Sequence, residues 1–218
     1  MDAALPSGAT SHDFFRRARA RLTLDVPAAL DDPTVEATRG DLDLDPAMWE
    51  QAGVKATRPA AVLVPVVDRS EPTVLLTLRT ELPSHPGQIA FPGGKIEPQD
   101  HTPAEAALRE AAEEIGLARA LIEPIGYLDL YLTFSGYRIL PTVARVAPGY
   151  KLVLSEREVA DAFEVPLTFL MDAQNHALHS RDWKGVTRKY YAMPFGERYI
   201  WGVTAGILRN LYERIYGG

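Results

Sequence analysis

The chain has 218 residues, of which 46% are hydrophobic and 24% charged, and it contains no cysteine. This balance fits a globular domain able to bury a core without covalent staples, and the missing thiol excludes disulfides, a cysteine nucleophile, iron–sulfur clusters and thiolate zinc sites. The formal net charge of −6 argues against a broad basic surface for nucleic acid, while a local anion site stays compatible with it.

From the N-terminus, residues 11–22 have a partial apolar stripe of Phe14, Phe15, Ala18 and Leu22, which predicts a short helix capped by Ser11 or Asp13. No basic start followed by an apolar stretch precedes it, so no secretory leader is expected. Pro27, Pro33, Pro46, Gly40 and the acidic run DLDLDP predict a largely irregular approach, so residues 1–57 are expected to form an appendage packing on a domain spanning 58–218. The longest apolar run, 60–67, is interrupted by Pro65 and is far short of the ~20 residues of a membrane helix. A cytoplasmic protein without membrane or nucleic-acid partners is the expectation, and the oligomeric state stays open.

The runs AAVLVPVVD (60–68) and TVLLTLR (73–79) are rich in β-branched residues and predict an antiparallel pair. After the Pro- and Gly-rich stretch 81–101 comes a helix over 103–115, then strands in IGYLDLYLTF and YRILPTVARVA joined by a turn at Ser135–Gly136. The last third predicts a turn and short helix across 159–171, strands around ALHSRDW and TRKYYAMPF, and a final amphipathic helix over 202–216. Mixed strands and helices without regular alternation favour an α+β sandwich over a doubly wound parallel sheet.

The helix over 103–115 is the most informative segment. Thr102 is its expected N-cap, Pro103 sits at the first helical position, Glu105 completes a capping box and Gly116 supplies the stop. Ala104, Leu108, Ala111, Ala112 and Ile115 share one side as the expected buried face. Opposite stand Glu110, Glu113 and Glu114, with Cβ atoms about 5–6 Å apart. Like charges at this spacing, near the helix end that disfavours anions, point to a missing cation. Arg109 is expected to pair with Glu113 and to be held by Glu105, leaving Glu110 and Glu114 without a local partner, and Ala106 and Ala107 are expected to leave room for a ligand. The Gly93–Gly94 pair just upstream exposes backbone to close approach, and hard divalent cations take such carboxylate and carbonyl oxygens together with substrate phosphates.

The run Arg109-Glu110-Ala111-Ala112-Glu113-Glu114-Ile115-Gly116-Leu117 resembles the second half of a Nudix box, with Ala111 at the aliphatic position. Counting from Gly94, Asp100 stands at the box's first Glu, and one additional residue precedes Arg109. LLTLRT followed by GQIAFPGG is similar to the extra motif of coenzyme A pyrophosphatases, with Thr80 for Ser, Ser84 where an Arg is expected, and a stretch ELPSHP one residue short. TFSGYRILPTV, EVADAFEVPLTFLMD and IWGVTAGIL are similar to further segments of that subfamily, so the resemblance runs from about Arg58 to the last helix.

The resemblance implies a Nudix fold, an α/β/α sandwich around a mixed sheet, and hydrolysis of coenzyme A to 4′-phosphopantetheine and adenosine 3′,5′-bisphosphate. It implies Glu110 and Glu114 as the main Mg²⁺ or Mn²⁺ ligands, Glu113 as a further ligand, direct or through water, and the Gly93 carbonyl as a backbone ligand. Arg109 would orient the glutamates, and Glu158, beside Glu156, is the candidate general base. Arg79, Lys95 and Arg138 are candidates for substrate phosphates, His85 and His101 lie in the same loops, and Phe91 and Trp201 are expected to pack. The alternatives are an ADP-sugar or dinucleotide pyrophosphatase, and a non-catalytic Nudix-like binding module, whose hallmark would be loss of a box glutamate. A P-loop fails because Ile96 follows Lys95, and a serine hydrolase fails for want of a Gly-x-Ser-x-Gly elbow.

Overall fold

The computed structural model describes residues 10–35, 37, 39–44, 46, 50, 53, 55–80, 87–183 and 186–217. Strand β1 (Arg39–Gly40) precedes β2 (Arg58–Val67), which is the centre of the main sheet. Its odd and even residues serve two cores: Ala61, Leu63 and Val67 face one side, Val62, Val64 and Val66 the other. This period-two use of a continuously apolar strand is what burial on both faces requires. β3 (Thr73–Arg79), β4 (Ile89–Ala90), β5 (Gly93–Lys95), β6 (Ile122–Tyr127), β7 (Tyr131–Leu132), β8 (Tyr137–Val146) and β9 (Val159–Pro166) complete the sheet. The path is β1-β7-β8-β2-β3-β4, with β5 on β2, β6 on β8 and β9 on β3.

Helix α1 (Ser11–Arg21), the short α3 (Leu167–Leu170) and α4 (Val203–Tyr216) cover one face, and α2 (Pro103–Ile115) covers the other. A second sheet of β10 (Ala177–Trp183), β11 (Val186–Phe195) and β12 (Arg198–Trp201) sends Met193 and Ile200 into the α4-side core. The architecture is the expected α+β sandwich with a mixed sheet.

Several elements differ from expectation. β2 and β3 meet only at Val66–Val74 and Val67–Thr73, because β2 pairs in parallel with β8 along all ten residues and antiparallel with β5. The start of the 159–171 segment is strand β9, zipped along β3, and only Leu167–Leu170 is helical. The N-cap of α1 is Thr10, whose hydroxyl accepts from the Asp13 amide. Phe14 and Ala18 of α1 are fully buried in the core built by β2, β3 and α4.

Candidate functional site

Helix α2 starts as its sequence dictates. The Thr102 hydroxyl accepts from the Glu105 amide at 3.2 Å, and the Glu105 carboxylate reaches back to the His101 amide at 3.0 Å. It stops at Gly116, whose φ of 66° is left-handed. Ala106 and Ala107 are fully buried against the sheet, so they leave no room for a ligand, and Ala112 is exposed. The helix lies in a groove beside β2 and β5, which rotates its buried side toward Ala106, Ala107 and Glu114.

That rotation separates the three glutamates. The Glu113 side chain is 57% exposed, whereas that of Glu114 is 7% exposed. Glu114 accepts from the Gly93 amide at 3.2 Å and has the Arg79 guanidinium at 4.0 Å. Burial pushes its carboxyl up to about 7, with the charges of Glu110 and Glu158 acting in the same direction and the Gly93 amide and Arg79 opposing. The Glu110 carboxylate lies on Gly94: a Cβ there would stand 2.5 Å from Glu110 Cδ, so any side chain at this position would push the carboxylate aside. Burial raises Glu110 too, against the pull of Arg109.

Arg109 is the hub that sequence reasoning resolved only in part. Asp100 takes its guanidinium bidentately, at 3.0 Å from Nε and 2.9 Å from Nη2. Nη1 donates to Glu110 at 3.0 Å and Glu113 at 3.2 Å, and Nη2 also donates to the Lys95 carbonyl at 3.1 Å. Glu110 therefore has a local partner after all, and Glu105 turns to Arg119 instead of Arg109. Asp100 also accepts from the Glu97 amide, closing the loop that carries the additional residue. Arg109 holds the Asp100 carboxyl below its usual range.

A second loop arrives from the far end of α2. The Ser155 amide donates to the Glu114 carbonyl at 2.8 Å, and the Glu158 amide closes a turn on Ser155. The Glu158 carbonyl accepts from the Thr80 amide at 3.0 Å, next to Arg79. Glu158 is exposed, and its charge is felt by both Glu110 and Glu114. Lys95 is exposed beside Gly94. Glu110, Glu114, Glu158 and Arg79 are thus brought around Gly93–Gly94.

Arg138 is not part of this group, which corrects its assignment to substrate phosphates. It is 3% exposed, and its guanidinium donates to the carbonyls of Ala29, Ala56, Asp32 and Val35. Four of its five N–H donors are spent on carbonyls of the N-terminal segment. Ser84 and His85 lie outside the described residues. His101 is exposed beside Asp100, and Phe91 is in the core as expected.

The donor set suits a hard divalent cation: a buried and a half-buried carboxylate beside a close-approach glycine backbone. Among the described residues no three His, Asp or Glu side chains are already gathered as a complete ligand cage. The fit therefore lies with Glu110 and Glu114, completed by backbone, water and substrate oxygens.

A family model described as NUDIX domain matches residues 57–184. The chain is 39% identical over 157 residues to the "Uncharacterized Nudix hydrolase NudL" of Yersinia enterocolitica, covering 72% of this chain and 80% of that one. It is 38% identical over 161 residues to the protein of the same name in Yersinia pestis, with the same coverages. Among solved structures, a Nudix hydrolase from Alicyclobacillus acidocaldarius superposes with a TM-score of 0.44 at 21% identity, over 54% of this chain and 82% of that one. With the box glutamates set around Gly93–Gly94 and the family model spanning more than half of the sequence, the chain belongs to the Nudix hydrolase family.

Proposed function

We propose that this hydrolase cleaves the pyrophosphate of coenzyme A or its derivatives, releasing 4′-phosphopantetheine and adenosine 3′,5′-bisphosphate. The observation that carries the hydrolytic part is the convergence of Glu110 and Glu114 on Gly93–Gly94 with Glu158 and Arg79 beside them. The coenzyme A part is supported by LLTLRT and GQIAFPGG, which form β3, β4 and the approach to that same glycine pair.

Mg²⁺ or Mn²⁺ would be held by Glu110 and Glu114, with the Gly93 carbonyl and Glu113, directly or through water, as further ligands. A bound divalent cation neutralises charge on the phosphate oxygens and reverses the sign of an otherwise anionic site. Arg109 keeps Glu110 oriented, and Asp100 keeps Arg109 in place. Arg79 stands where it can reach a phosphate oxygen, and exposed Lys95 serves as a second cation at the opening. Glu158, exposed on a loop pinned to the end of α2, accepts a proton from the attacking water. We place the enzyme in the cytoplasm, acting on a small molecule rather than nucleic acid; among the described residues no helix is long and apolar enough to cross a membrane.

The test is a substrate panel of coenzyme A, acyl-coenzyme A, ADP-ribose and a diadenosine polyphosphate with Mg²⁺ and with Mn²⁺, products being resolved by chromatography. Coenzyme A species are expected to be turned over best. Preference for ADP-ribose or the dinucleotide would overturn the substrate assignment.

A further inference from the structure

The outer face of the β10–β12 sheet carries chemistry that the carboxylate site does not use. Pairing sets His179 opposite Tyr190 and Ala192 opposite Trp201, so His179, Tyr190, Tyr199 and Trp201 share the face turned away from Met193 and Ile200. Their rings close a circuit, with centroids 6.0 Å apart for His179–Tyr190, 5.3 Å for Tyr190–Trp201, 6.5 Å for Trp201–Tyr199 and 6.1 Å for Tyr199–His179. A 2.8 Å hydrogen bond between His179 Nδ1 and the Tyr199 hydroxyl fixes the arrangement. His179 and Tyr199 are exposed, and Tyr190 and Trp201 half-buried.

One pair further along the same face, Arg181 stands directly opposite Arg188. Like charges opposed across strands destabilise a sheet unless an anion lies between them. Arg188 stacks over the Phe134 ring at 4.4 Å and senses the Asp41 carboxylate, whereas Arg181 is exposed and, among the described residues, has no ion pair. An ordered aromatic platform beside two guanidiniums is complementary to a heteroaromatic base that carries a phosphate ester.

Both flanks of the sheet are tied to strands of the main sheet. The Thr204 hydroxyl, just past β12, donates to the Ile89 carbonyl at 2.9 Å, on the strand that leads into Gly93. On the other side Arg198 of β12 pairs with Asp161, on the strand that starts immediately after Glu158.

We propose that this face is the base subsite: His179, Tyr190, Tyr199 and Trp201 stack a purine, and Arg181 with Arg188 takes a phosphate on its ribose. The proposal rests on the reading of the substrate as a nucleoside diphosphate derivative. It is tested by isothermal titration calorimetry of adenosine 3′,5′-bisphosphate and adenosine 5′-monophosphate against wild type, Tyr199→Ala, Tyr199→Phe and Arg181→Ala, each checked by circular dichroism and size-exclusion chromatography. Tyr199→Ala should weaken both nucleotides at least about fivefold while Tyr199→Phe stays within about twofold of wild type, as expected for stacking. Arg181→Ala should weaken only the bisphosphate, by at least about fivefold. Wild-type affinity in Tyr199→Ala, absence of binding by the wild type, or conversion of a dimer to a monomer by Tyr199→Ala would overturn the base subsite. Equal weakening of both nucleotides in Arg181→Ala would overturn the phosphate contact. Because binding is measured without turnover, a wild type that binds the bisphosphate yet leaves coenzyme A intact would support the subsite and overturn the substrate reading.

Discussion

Glu114 shows how a residue can oppose folding and serve chemistry at once. A carboxyl raised from 4.5 to about 7 holds its proton in the folded state between those values, while the unfolded chain has lost it. Its ionisation therefore costs the metal-free protein nothing below pH 4.5, and the cost grows as pH rises to 7 and stays constant above. That cost is about 3 kcal/mol. Glu114→Gln should consequently melt higher than wild type in EDTA above pH 7, and the difference should vanish near pH 4.5 in a thermal melt series. The same variant should lower kcat at least ~100-fold, the scale of losing a key electrostatic group. Near-normal turnover would remove Glu114 from the site. Asp100 acts one step back from the carboxylates. Asp100→Asn breaks the bidentate grip on Arg109 and should weaken Mn²⁺ binding roughly tenfold with kcat reduced less than in Glu114→Gln. Unchanged metal affinity would show that Arg109 stays in place without it.

At the scale of elements, the signals that survived were local ones. Thr102, Pro103, Glu105 and Gly116 specify α2 because caps act within a turn of their own residue, and the structure keeps all four roles. The buried side of the same helix differs from the sequence expectation at Ala106, Ala107 and Ala112, because alanine fits either a surface or a core and the groove beside β5 decides which. The sequence predicts a turn and helix where β9 lies, because Asp161 and Glu164 interrupt its apolar pattern, and only pairing with β3 makes it extended. The carboxylate helix was visible from spacing, but the partner of Arg109 was not, since Asp100 reaches it through a loop whose length departs from the family pattern. The joint between α3 and α4 offers a separate pH test. His176 donates from Nε2 to the Leu170 carbonyl at 2.7 Å, its Nδ1 faces Arg209 at 3.4 Å, and the Tyr212 ring packs edge-on. Burial, with the Arg209 charge assisting, lowers the imidazole below 6.5, while Asp172 and Glu213 nearby pull the other way. The neutral form stabilises the fold fully above pH 6.5, and that contribution is lost as pH falls through the lowered value. The Tm advantage of wild type over His176→Gln should shrink from pH 7.5 to pH 5.5; a constant gap would contradict this.

For the whole molecule, the N-terminal segment is held by Arg138, a buried cation that donates to four carbonyls and, among the described residues, has no ion pair. No local pattern announces such a role, because its partners lie about a hundred residues away in the chain. Arg138→Leu should cost at least about 2 kcal/mol by leaving buried carbonyls unpaired, measured as a lower urea midpoint, with faster proteolysis within residues 28–57. In the fraction that remains folded, KM for substrate should be unchanged; a raised KM would return Arg138 to the phosphate site.

The pairing of α1 with α4 carries a consequence for synthesis. Arg21 donates to the carbonyls of Arg214 and Gly217, Arg214 donates back to Arg21, and Arg17 lies over the Tyr216 ring. These partners are separated by at least 193 residues, and β2 likewise waits for β8 before its full-length pairing can form. A chain growing on the ribosome therefore carries Phe14 and Phe15 uncovered until nearly all of it has emerged. Premature stops within α4 should yield aggregates rather than shortened enzymes.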